Sequence, residues 1–104
     1  MKVLPNEDEV MLVVSALEKG RQNAVPRKEL SAVVGMADRR VRACIEAARR
    51  EGVFIVSGDS GYYIATEVEE VERQYRIDRA RALSILKRLT PMRRYLKVAG
   101  RDIV

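Results

Sequence analysis

The sequence predicts an α+β fold, mainly α, in which three helices and a β-hairpin precede a long C-terminal helix. Three observations predict it. Apolar residues recur at helical three-four spacing within residues 10–17, 41–48 and 68–89. Only the four residues GMAD, 35–38, separate two of the helical stretches. Between residues 53 and 65 the pattern changes to two short β-prone runs around SGDSG.

Each element has a local reason. Glu7, Asp8 and Glu9 suit a first helical turn, where carboxylates meet unpaired N–H groups, and Asn6 is placed to cap it. Val10, Val13, Val14 and Leu17 form the apolar side, and Gly20 ends the segment. Gln22 to Val25 reads as a loop. Pro26 sits where a second, two-turn helix starts, with Leu30 and Val33 or Val34 on its buried side and Gly35 closing it. A third helix runs from near Asp38, its expected cap, to Glu51, and Gly52 terminates it. Val41, Cys44, Ile45 and Ala48 are its core stripe.

Val53–Val56 and Tyr62–Ala65 read as strands joined by the SGDSG turn, where Gly and Asp tolerate left-handed angles. Tyr62 and Tyr63 alternate faces, so one packs and the other is exposed. Thr66 and Glu69 have capping-box spacing ahead of a long helix to about Leu89. Thr90–Pro91 is expected to break it, leaving a short last helix over Met92–Val98 that ends at Gly100. The chain therefore divides into residues 1–66 and an extension, 67–104.

Composition narrows the function. The 104 residues carry 20 Lys plus Arg against 15 Asp plus Glu, a net charge of +5, with no His and one Cys. That removes imidazole catalysis, histidine metal sites and any disulfide framework. No P-loop or Rossmann glycine pattern is present, so no cofactor and no enzyme activity are expected. The acidic turn of MKVLPNEDEV does not read as a secretory signal, and no apolar run is long enough for a membrane span. A cytoplasmic protein with no small-molecule ligand is the expectation. The charge is unevenly placed: residues 1–20 hold two bases and four acids, 21–66 eight and five, and 67–104 ten and six. Arg81 to Arg101 holds seven bases and no acid.

Helix, short helix, tight turn, basic helix, hairpin is the order of a winged helix-turn-helix, centred on PRKELSAVVGMADRRVRACIEAARREG, residues 26–52. In such a unit the second helix of the pair enters the major groove of double-stranded DNA. The early positions of that helix here are Arg39, Arg40, Arg42 and Ala43. Arginine reads guanine bidentately and also binds phosphate. Arg27 and Lys28 are placed for phosphate contact. At the wing, Ser57, Asp59, Ser60 and Gly61 bring no base, so main-chain and serine contacts are expected there. A bland alternative is that the arginines only solvate a helix face.

Residues 10–65 resemble the winged helix-turn-helix domains of bacterial and phage regulators, most nearly the N-terminal DNA-binding domain of the biotin repressor. Leu30, Gly35, Val41, Ile45, Ala48 and Gly52 carry the likeness, with IVSGDSGYYI, residues 55–64, as the wing. Ala48 and Asp38 depart from the pattern. Ala48 replaces a larger core residue, and Asp38 stands where Ser or Thr is common, near where phosphate would lie. The whole chain, with RRYLK at 93–97, also resembles small helix-turn-helix proteins of phages and prophages of Gram-positive bacteria. The resemblance implies duplex binding in a transcriptional or replication-associated role. The competing expectation is a winged-helix interaction or assembly module without specific DNA binding, and the charge alone does not separate DNA from RNA.

Positions 68, 71, 75, 78, 82, 85 and 89 follow a three-four spacing interrupted only by Asp78. Val71, Tyr75, Ala82, Ile85 and Leu89 form a candidate dimer face. The alternative is that this stripe packs back on the first helix.

Overall fold

Asn6 opens the first helix through its side chain. Its Oδ1 accepts from the Glu9 N–H at 2.8 Å, and Glu9 Oε1 accepts from the Asn6 N–H at 3.0 Å. This reciprocal capping box starts α1 (Glu7–Ser15). Leu17 lies just beyond the helix and is still buried. The computed structural model describes residues 4–102.

Pro26 precedes α2 (Arg27–Val34), and its ring fixes the φ of −58° from which the helix departs. Leu30 is fully buried, Val34 half-buried and Val33 exposed. Gly35 adopts the left-handed conformation, φ 68°, that reverses the chain. Ser31 clamps this turn. Its carbonyl accepts from both Gly35 and Met36, and its hydroxyl donates to the Met36 carbonyl. Two residues later α3 (Asp38–Arg50) begins, with Val41, Cys44, Ile45 and Ala48 buried as expected. Ala37, not Asp38, is the N-cap, and Asp38 makes no capping bond. As the first helical residue, Asp38 turns its carboxylate to two arginines instead.

The hairpin is β1 (Ile55–Gly58) and β2 (Gly61–Ile64), antiparallel in the register Ile55↔Ile64, Val56↔Tyr63, Ser57↔Tyr62, Gly58↔Gly61. The first strand thus starts two residues later than the hydrophobic run suggests, and Phe54 is exposed. Asp59 does not take a left-handed angle; the positive φ falls on Gly61, at 123°. Tyr63 is buried and Tyr62 half-buried.

The stretch expected to be a loop holds a single 3-10 turn, Arg21–Asn23, and lends backbone to the edge of β2. Val25 and Tyr62 exchange two N–H···O bonds of 2.9 Å, and Gly20 and Glu18 bond Ile64 at 3.0 and 2.9 Å. These bonds use the open side of a two-stranded ribbon that would be marginal alone. The core then joins the first three helices and the hairpin: Val10, Val13, Leu17, Leu30, Val41, Cys44, Ile45, Ala48 and Ile55 form one buried cluster. Each large member contributes roughly 1.5–3 kcal/mol by leaving water. The result is a small, mostly helical domain with a hairpin after its helices, a winged-helix-like architecture.

α4 (Val68–Val98) is one helix of 31 residues with Pro91 inside it. The expected break at Thr90–Pro91 is absent. Proline removes one N–H and crowds the preceding turn, but the flanking KRL and MRRYLK are strong helix formers and the helix continues through. The expected Thr66–Glu69 box is also displaced. Glu70 is the capping carboxylate, its Oε1 accepting from the N–H groups of Thr66 and Glu67, each at 3.0 Å. Because the helix starts at Val68, the three-residue spacing counts from Glu67. Gly100 ends it as expected, with Arg101 N–H on the Leu96 carbonyl at 2.9 Å. The chain separates into two units between Val71 and Glu72.

Candidate nucleic-acid interface

The buried stripe of α3 dictates which of its side chains face out. With 41, 44, 45 and 48 inward, positions 39, 42, 43, 46 and 50 share the opposite side. Arg39 and Arg42 are exposed there, and Ala43 is half-buried between them. Glu46 and Arg50 complete the face as an ion pair of 3.0 Å. Arg39 and Lys28 pair with no acid among the described residues.

Asp38 stands between two bases. Its Oδ1 lies 2.7 Å from Arg27 Nε, and its Oδ2 lies 3.3 Å from Arg42 Nε. One carboxylate therefore ties the first turn of α2 to the second turn of α3. All three side chains remain about half exposed, so each ion pair is weak in water, on the order of 0–1 kcal/mol. The arrangement positions the two guanidinium groups without burying them.

Arg40 has a different place. Its guanidinium grips Glu9 of α1 with two bonds, Nε to Oε2 at 2.9 Å and Nη2 to Oε1 at 2.6 Å. Both side chains are largely covered. This contact fastens the start of α3 to the start of α1, and Glu9 also serves the α1 capping box. The Arg40 hydrogen bond, and then the Asn6 N–H, hold the Glu9 carboxyl below its usual pKa. A carboxylate with a lowered pKa stabilises the fold above its unfolded value and loses that contribution as pH falls through the folded one. Glu9→Gln is therefore expected to flatten the acid side of the stability curve, measured by urea unfolding at stepped pH. A curve that keeps its wild-type slope would show that the pair adds nothing.

The wing is fastened by the far end of α3. Arg49 donates to the Ile55 carbonyl at 2.9 Å and to Ser57 Oγ at 3.3 Å. Asp59 and Ser60 are exposed at the tip. Gly61 is packed rather than presented: a Cβ there would lie 2.2 Å from the Val25 carbonyl oxygen.

Burial pushes the Cys44 thiol up, so it is a protonated core group. Among the described residues no cluster of His, Cys, Asp and Glu is arranged to hold a metal, and no helix is long and apolar enough to cross a membrane.

Residues that sequence reasoning missed are Glu9, Ser31 and Arg49. Arg49 and Ser31 sit at spacings that a turn brings together, but the Glu9–Arg40 contact spans 31 residues and leaves no local signal. Val71, Tyr75, Ala82, Ile85 and Leu89 do share one side of α4; Val71 is half-buried and the others are exposed. No protein-family profile, no curated protein and no solved structure matches the chain.

Proposed function

We propose that the chain is a double-stranded-DNA-binding protein that reads the major groove with α3. Arg39 and Arg42 are its readers, Ala43 makes apolar contact, and Arg27 and Lys28 hold phosphate. The observation that supports this most is the two-sided character of α3, whose inner stripe is fully buried while Arg39 and Arg42 lie exposed beyond the clamped Ser31–Met36 turn. The resemblance of residues 10–65 and of the RRYLK tail supports a phage or prophage regulator, acting in transcription or replication. Two copies joined through α4 are proposed as the binding unit. Arg40 contributes through Glu9, by fixing the angle of α3.

The test is a titration of labelled random duplex at low and moderate salt, followed by selection of bound sequences. Salt-steep binding with an enriched motif is expected. A folded protein that binds no duplex at low salt would refute the proposal. Binding with no enriched motif would favour the assembly-module reading.

Asp38 bears on the same surface. Asp38→Asn removes a negative charge beside Arg27, a proposed phosphate contact, and Arg42, a proposed reader. It is expected to tighten non-specific duplex binding severalfold, about the effect of 1 kcal/mol. Unchanged or weaker affinity would mean that Asp38 orders Arg27 and Arg42 more than it opposes phosphate.

A further inference from the structure

The three-four spacing on α4 continues past Pro91. Tyr75, Ala82, Ile85, Leu89, Met92 and Leu96 fall on it, with Asp78 as the only polar member. Tyr75 is 63%, Ile85 50% and Met92 51% exposed. Pro91 falls off this seam, two residues past Leu89, so the proline does not interrupt the apolar face. A helix with such a face open to water has a partner to find.

Charge says which partner. Residues 68–78 of α4 carry four acids and two bases, whereas Arg79–Val98 carries seven bases and no acid. The helix dipole favours acids at the first turn and bases at the last, but its reach ends there. Seven bases over five turns extend beyond it. A split of this length fits a helix of the same sequence running the other way.

We propose that α4 pairs with α4 of a second copy in antiparallel orientation, Tyr75 facing Met92 and Ala82 facing Ile85. This deepens the pairing of two copies proposed above, and it does not depend on DNA binding. In that register Asp78 faces Leu89 beside Arg88 of the other copy, and Glu72 meets Arg93. Arg81 beside Arg88 is the like-charge pair that it retains. A parallel pair instead sets Asp78 against Asp78 on the seam and Arg88 against Arg93 on its flank, both repulsive.

The experiment uses the full chain without DNA. Tyr75→Cys and Met92→Cys variants are made separately, then mixed and oxidised mildly. The buried Cys44 makes wild type the background control. Antiparallel pairing predicts a disulfide-linked species in the mixture and none beyond background in either variant alone. Cross-linking of each variant with itself would overturn the orientation and leave a dimer. A mass of one chain at all concentrations up to hundreds of micromolar, by light scattering of the unmodified protein, would overturn the pairing itself. Duplex binding by such a monomer would leave the α3 proposal standing.

Discussion

Gly61→Ala is expected to cost about 4 kcal/mol or more, roughly a third or more of the stability of a small domain. Two effects add. The φ of 123° is one that L-residues rarely adopt, worth on the order of 1–3 kcal/mol. The new Cβ would also meet Val25 backbone, the carbonyl oxygen at 2.2 Å and the carbonyl carbon at 2.4 Å. Backbone cannot rotate away as a flexible side chain can. Relief requires moving Val25, which breaks its two 2.9 Å bonds with Tyr62 at about 1 kcal/mol each. The control is Gly35→Ala. Gly35 also has positive φ, 68°, but open space around its Cβ direction. That variant is expected to lose only about 1–2 kcal/mol. Thermal and urea unfolding of the two proteins measure the difference. Equal losses would show that left-handed backbone, rather than the approach of Val25, sets the requirement at Gly61.

Changing Arg39 and Arg42 together to Ala is expected to weaken specific duplex binding by about 2–6 kcal/mol, from 1–3 kcal/mol for each reader. Both side chains are exposed, so the fold is expected to keep its unfolding midpoint. Two readouts separate their roles. Loss of a phosphate contact lowers the dependence of log K on log salt by about 0.9 per arginine and leaves sequence preference intact. Loss of a base contact relaxes preference at one position of the site. Arg40→Ala is the informative comparison. It releases Glu9, so its effect on binding is expected to follow lost stability and to be recovered by conditions that restore the fold. If Arg40→Ala weakened binding while unfolding unchanged, Arg40 would be a reader and its contact with Glu9 incidental.

What the sequence shows of this fold is what physics keeps local. The Asn6 cap, the stripe of α3, the left-handed Gly35 and the hairpin follow from residues within one or two turns of each other. The errors share a cause. Asp38 is a good cap by composition, but the chain enters α3 one residue earlier, and Arg27 and Arg42 compete for the carboxylate. Thr66 and Glu69 have the spacing of a capping box, yet a one-residue shift of the helix start hands the role to Glu70. Proline at 91 is a strong local stop signal that good helix formers on both sides override. The pairing of residues 18–25 with β2 depends on the whole domain having folded.

The candidate site divides in the same way. That α3 carries exposed arginines is readable from its period. Which of them is turned inward is not, because Glu9 reaches it from a different helix. The wing tip was legible as lacking a base, but the packing of Gly61 under Val25 was not.

The inward turn of Arg40 has a consequence for how such a protein changes over time. Holding the helix in place falls mainly to 40, 41, 44, 45 and 48; of the outward positions 39, 42, 43, 46 and 50, Arg42 adds only a half-exposed ion pair with Asp38. If α3 reads DNA as proposed, a lineage can exchange the outward set, and with it the sequence bound, at little cost to folding. The same partition offers a graft: outward residues of a known reading helix placed on this one, with Glu9 and Arg40 left untouched.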